Sequence, residues 1–120
     1  MSFENLDVWK RSARLSATLY KTLKDLGDWG FRDQVTRSGL SIPSNIAEGF
    51  ERESHAEIAR FLLIAKGSAG ELITQIYIGI EADYIDKSTG LAWINELKQV
   101  SAMLASLIRK HKSYKKAPKT

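Results

Sequence analysis

Apolar residues recur every three to four positions along nearly the whole chain, and only two prolines interrupt it, Pro43 and Pro118. That spacing gathers the apolar side chains into one stripe of an α-helix, whereas a half-buried strand would need alternation. Such a chain buries its apolar surface by packing helix on helix. With 120 residues it is long enough for one core and too short for two.

Four amphipathic segments emerge. The first runs from about Asn5 to Leu26. Leu6, Trp9, Ala13, Ser16, Tyr20 and Leu23 form the expected core face, with Val8, Leu15, Leu19 and Leu26 as a second stripe beside it. Gly27, Asp28 and Gly30 end it. The second, about Phe31 to Glu51, carries Phe31, Val35, Gly39, Ile42, Ile46 and Phe50 at core spacing and has Pro43 inside it. A proline there lacks the donor for the carbonyl of Gly39, so a kink near Pro43 is expected, or a break with Ser41 capping a new helix.

Ser54 and Glu57 form a capping box that opens the third segment, which reaches about Asp83 and would be roughly 45 Å long. Ile58, Phe61, Leu62, Ala65, Ala69, Leu72, Ile76 and Ile80 supply its core stripe. Leu63, Ile64, Ile73, Tyr77 and Ile78 fall largely outside it, a surplus of apolar surface that predicts an oligomer. Gly67 and Gly70 sit mid-helix, tolerable where a neighbouring helix approaches closely. Asp86 or Ser88 caps the fourth helix, about Thr89 to Lys112, which buries Trp93, Leu97, Val100, Leu104 and Leu107, flanked by Ile94 and Ile108. Long helices joined by short turns predict an all-α, antiparallel up-down-up-down four-helix bundle over residues 1–112, followed by a basic, disordered tail over 113–120.

Charge is distributed unevenly. Arg109, Lys110, Lys112, Lys115, Lys116 and Lys119 put six positive charges in the last twelve residues, while residues 1–108 hold 12 basic and 14 acidic side chains. The body is nearly neutral, and the basic character lies at the end, where it attracts nucleic acid or an acidic partner. Lys10, Arg11 and Arg14 add a smaller basic group on the first helix. The chain has no cysteine, which excludes disulfides and thiolate metal sites. With no apolar run near the ~18 residues of a membrane span and a mixed, acidic start, a cytoplasmic protein without signal peptide or membrane contact is expected.

Little points to catalysis. His55 and His111 stand isolated, with no carboxylate or second histidine at the i+3 or i+4 spacing, and repeated Glu-x-x-His units, a G-x-S-x-G elbow and a P-loop are absent. No enzyme activity, cofactor or metal is expected. One polar constellation stands out: Gln34, Arg37, Ser38, Ser41, Asn45, Glu48 and Arg52 follow 3–4 spacing down the second helix, and Ser68, Glu71 and Gln75 do so on the third. Serine and asparagine are poor helix formers, and a solvated face is more usually built from Glu and Lys. A partly buried hydrogen-bonded network between helices or across a subunit interface is therefore expected.

The run Gln34-Val35-Thr36-Arg37, followed by Ser41-Ile42-Pro43-Ser44-Asn45-Ile46-Ala47-Glu48-Gly49, resembles the signature of proteins encoded in 23S rRNA intervening sequences. Arg52, Ser54, Glu57, Phe61-Leu62, Ala65, Gly67-Ser68, Glu71-Leu72 and Gln75 continue it, as do Phe3, Leu6 and Val8-Trp9 at the start and Asp83-Tyr84-Ile85 late in the chain. The resemblance covers roughly residues 3 to 108; Ser38-Gly39 stands where the family usually has two alanines. It implies a four-helix bundle that assembles into a ring-like homopentamer. It also implies kinship with accessory proteins of diversity-generating retroelements, in which a basic pentamer binds nucleic acid and a reverse transcriptase. The resulting expectation is a non-enzymatic homo-oligomer that binds nucleic acid, RNA foremost, through Lys10, Arg11, Arg14, Arg109, Lys110, Lys112, Lys115 and Lys116. The alternative is a protein-binding scaffold or accessory subunit with no direct nucleic-acid contact.

Overall fold

The computed structural model describes residues 2–115. A single 3-10 turn, Phe3–Asn5, precedes four helices: α1 (Asp7–Leu23), α2 (Trp29–Phe50), α3 (His55–Glu81) and α4 (Lys87–Lys115). Each helix packs on the next, and α1 also touches α4, so the four enclose one all-helical core.

Side chains at the turns set where the helices begin. Asp28 is the N-cap of α2, its carboxylate accepting from the Phe31 N–H, so Trp29 and Gly30 open α2 rather than closing α1. The same carboxylate accepts from the Tyr84 hydroxyl at 2.9 Å, tying the α1–α2 turn to the α3–α4 turn. Both bonds hold its pKa below the ordinary carboxylate value, the backbone N–H having the larger effect. Ser54 caps α3 by accepting from the Glu57 N–H, but the Glu57 carboxylate pairs with Arg60. The expected capping box thus forms in its serine half. Asp86, not Ser88, caps α4, accepting from the Thr89 N–H at 3.1 Å. Between α3 and α4 the chain reverses through Asp83, whose φ of 61° is one that aspartate tolerates better than most residues.

Within α1 the deeper stripe is Val8, Leu15, Leu19 and Leu23, which are buried, while Leu6 and Trp9 are half-buried and Tyr20 is 46% exposed. Of the stripe expected to line the core, Ser16 and Leu23 are buried and Leu6, Trp9 and Ala13 half-buried, so α1 draws its buried face from both stripes: Leu19 and Ser16 meet α2 at Gly39, while Leu15 lines a groove with Trp93 of α4. Helix α2 runs unbroken through Pro43, so Ser41 caps nothing. Gly39 has a second role besides easing that proline. A Cβ there would stand 2.6 Å from Leu19 Cδ1, so the glycine lets α1 approach α2. The expected core residues of α3 and α4 are buried, except that Phe61, Ile80 and Leu107 are half-buried. No atom lies within 4 Å of a Cβ placed on Gly67 or Gly70, so these two face outward rather than a neighbouring helix of the same chain. Helix α4 continues through Lys115, three residues past its expected end, and residues 116–120 of the expected tail lie outside the described residues.

A second glycine sits where a helix and a turn converge on α3. A Cβ on Gly79 would lie 2.5 Å from Ile85 Cδ1 and 2.9 Å from Phe31 Cζ, so α2 and the α3–α4 turn both close on this position. Gly79→Ala is expected to destabilise the fold by about 1–3 kcal/mol, read as a lower urea midpoint at unchanged slope.

Candidate nucleic-acid interface and polar cleft

The basic residues of α1 and α4 meet different fates. Arg11 is engaged: its guanidinium donates to both Glu96 oxygens, at 2.8 and 2.6 Å, and to Gln99, across the α1–α4 seam. The pair is about one-third exposed, and the hydrogen bond from Arg11 holds the Glu96 carboxyl pKa below its ordinary value, against an opposing effect of burial. Screening at that exposure leaves it about 0.5–1 kcal/mol of stability. Arg14 is exposed, but it lines the same shallow groove as Glu96 and adds to the lowering of its pKa. Of the expected α1 patch, Lys10 is exposed and away from this pair, Arg11 is occupied as a structural tie, and Arg14 is partly neutralised.

Arg109, Lys110 and Lys112 on α4 are exposed, and among the described residues none of them has an ion-pair partner. They lie near the C-terminal end of α4, where the helix dipole favours cations. Lys115 closes α4 as its last residue, and Lys116 lies outside the described residues.

The polar stripes of α2 and α3 divide into three parts. Ser41 and Ser68 hydroxyls meet at 2.9 Å across the interface, and the Asn45 amide donates to the Ser41 carbonyl and hydroxyl at 2.8 and 3.0 Å. Ser68 is 8% exposed, so this small network lies in the α2–α3 seam. One turn further on, Gln34, Arg37, Glu71 and Gln75 line a cleft of about 280 Å³ with Ser38, Ser41 and Ser68. Arg37 and Glu71 are exposed and do not pair within 4.0 Å, while Gln75 Oε1 is buried without a hydrogen-bond partner. At the other end, Glu48 and Arg52 pair with each other at 2.8 Å on the outer surface of α2. The helices thus bring Ser41, Asn45 and Ser68 into one network, and Gln34, Arg37, Glu71 and Gln75 around one cleft.

Two residues that look isolated in sequence meet in space. His55 opens α3 and His111 lies one turn before the end of α4, with their Nδ1 atoms 2.9 Å apart. No local spacing signals this, because the partners are 56 residues apart. Glu96 and Gln99 escaped notice as partners of Arg11 for the same reason. Among the described residues no group of three or more His, Cys, Asp or Glu could hold a metal ion, and no helix is long and apolar enough to cross a membrane.

Ser41 satisfies both Ser68 and Asn45, so its removal leaves the buried Ser68 hydroxyl without a partner. Ser68→Ala leaves the Ser41–Asn45 bond in place. Ser41→Ala is expected to cost about 1–2 kcal/mol in chemical denaturation and Ser68→Ala about half as much.

Comparisons with other proteins agree with this architecture. A crystal structure of a protein of unknown function from the S23 ribosomal protein family of Bacteroides thetaiotaomicron VPI-5482 superimposes with a TM-score of 0.79 at 27% identity, covering 84% of this chain and 97% of that one. None of the curated proteins matches the chain. The family model described as 23S rRNA-intervening sequence protein matches residues 4–106, nearly the whole helical body. The chain belongs to the 23S rRNA-intervening sequence protein family.

Proposed function

We propose that this protein is a non-enzymatic homo-oligomer that binds nucleic acid, RNA foremost, through the ends of its α4 helices. The observation that carries this reading is the exposed trio Arg109, Lys110 and Lys112, which has no acidic partner among the described residues. Three free cations at one helix end make a small phosphate-binding surface, with Lys10 as a lesser contributor. Such contacts neutralise phosphates and read no base, so binding is sequence-tolerant and weakens steeply with salt. A single patch of this size binds weakly; several copies held together bind more tightly by raising the effective concentration of the next contact.

Support for assembly comes from the outward face of α3. Leu63, Gly67, Gly70, Thr74, Tyr77 and Ile78 follow 3–4 spacing and all are exposed, Leu63 and Ile78 to 54%. The two glycines form a flat strip between apolar side chains at either end, a surface onto which a second copy's helix fits at short distance. The family resemblance gives five as the expected copy number. The polar cleft between α2 and α3, with its unpartnered Gln75 oxygen, favours a second reading, in which a protein segment docks there and no nucleic acid is touched. Partner capture that survives nuclease treatment separates the two.

Binding is measured by fluorescence anisotropy with a labelled single-stranded RNA between about 50 and 200 mM salt. The combined Arg109→Glu, Lys110→Glu, Lys112→Glu variant is expected to lose at least tenfold in affinity and to flatten the salt dependence. Absence of wild-type binding at low salt would sink the reading, as would equal binding by the variant. Assembly is checked separately by light scattering: Leu63→Lys with Ile78→Lys should lower the solution mass while leaving the helical circular dichroism unchanged. A wild-type monomer at working concentration contradicts the assembly.

A further inference from the structure

We propose that His55 and His111 form a proton-operated latch that fastens the basic end of α4 to the start of α3 at neutral pH and releases it in mild acid. The two Nδ1 atoms lie 2.9 Å apart, a hydrogen-bond distance between nitrogens of the same kind. Two neutral rings with both lone pairs turned inward would repel, so one ring must hold its proton on Nδ1 and the other must accept. His111 is 8% exposed, and burial disfavours the charged form in which it could no longer accept, so in the proposed latch His111 accepts and the exposed His55 donates.

The surroundings hold the acceptor in place. Phe50, the last residue of α2, meets the His111 ring edge-to-face at 5.5 Å, and Tyr114 packs on the His55 ring at 4.8 Å. Residues from α2, α3 and α4 thus close around the pair, and Phe50 brings no charge. The turn before α3 carries Glu51, Arg52 and Glu53, and the start of α3 carries Glu57. Arg52 pairs with Glu48 and Glu57 with Arg60; among the described residues no carboxylate lies within 4.0 Å of either ring. On α4 itself, Lys110 bears on His111 as a like charge.

The assignment gives the two rings different responses to acid. The Nδ1–H that His55 donates does not depend on its outward Nε2. His111 takes its proton from solvent on Nδ1, the accepting atom itself, and the lone pair that received the bond is lost. Two N–H groups and two like charges then face each other in a half-buried site, and the contact opens. Burial holds the basicity of His111 below the ordinary value, with smaller contributions from the charges of His55 and Lys110. A histidine with a lowered folded-state pKa stabilises the fold fully above the ordinary value of about 6.5, and that contribution is lost as pH falls from there through the folded value. The latch is independent of whether the end of α4 binds nucleic acid.

Two measurements on the full chain test it. In 1H–15N NMR of the imidazole rings, His111 Nδ1 should be an unprotonated acceptor at pH 7.5, and the ring should titrate below about 6.5. By hydrogen exchange, corrected for intrinsic rates, amides over residues 105–114 should exchange about tenfold faster at pH 5 than at pH 7.5, with Ile46 and Leu62 as unmoved controls. His111→Phe, which keeps an aromatic ring between Phe50 and Tyr114, should abolish that pH dependence. His55→Ala alters an exposed residue and keeps the test alive if the first variant fails to fold; it should give fast exchange of the same amides already at pH 7.5. Titration of His111 at or above its ordinary value overturns the latch, as does an unchanged pH response in the folded His111→Phe variant. Slowed exchange on adding micromolar Zn²⁺ at pH 7.5 would identify a metal rather than a proton as the occupant and would also overturn it.

Discussion

Close approach of helix backbones is the constraint on which the rest of this bundle depends. Helix α3 lies between α2 and α4, and its Leu62, Ala65, Ala69, Leu72 and Ile76 are fully buried. Each fully buried Leu or Ile contributes about 1.5–3 kcal/mol, but only if the neighbouring helices come near enough to exclude water and leave no gap. Small residues set that distance: Gly39 accommodates Leu19, Gly79 accommodates Ile85 and Phe31, and Gly90 accommodates Ile80. The register of the helices follows from these knobs and gaps, and every cross-helix pair in the structure follows from the register.

Three polar contacts are consequences of that register. Arg11 reaches Glu96 and Gln99 because α1 lies beside the first half of α4. Ser41 reaches Ser68 because the middle of α2 crosses the middle of α3. His55 reaches His111 because the start of α3 lies beside the end of α4. The first removes a cation from the candidate nucleic-acid surface, the second satisfies hydroxyls that the core would otherwise strand, and the third makes the end of α4 responsive to protons. The bundle therefore divides its positive charge: Arg11 is structural, while Arg109, Lys110 and Lys112 remain available for a ligand.

The outward face of α3 follows a different logic. Among the described residues its exposed glycines meet no neighbouring helix, since nothing outside their own helix approaches Gly67 or Gly70. Mid-helix glycine lowers helix propensity by about 1 kcal/mol relative to alanine, so two such positions on an exposed face are costly unless they meet something. The proposed assembly through this face would account for both the glycines and the surplus apolar surface.

The four helices, the Ser54 cap, the choice of Asp86 or Ser88 for α4, and the core stripes of α2, α3 and α4 were legible in the sequence, because periodicity and capping are encoded within a few residues of where they act; Asp28 was legible as a turn residue but not as the cap of α2. On α1 two stripes competed, and spacing had no means of ranking Val8, Leu15 and Leu19 above Trp9, Ala13 and Tyr20. Nor did the local rule that proline breaks a helix anticipate an unbroken α2, whose tertiary packing holds Pro43 buried within the helix. The fate of Arg11, the cleft around Arg37 and Glu71, and the meeting of His55 with His111 were decided by the tertiary structure alone. Those partners lie 34 to 88 residues apart in the chain, and whether they meet depends on which faces pack and in what register. Sequence by itself determined that this chain makes amphipathic helices and where they start; the fit of side chains between helices determined which charges are tied up and which are left to act.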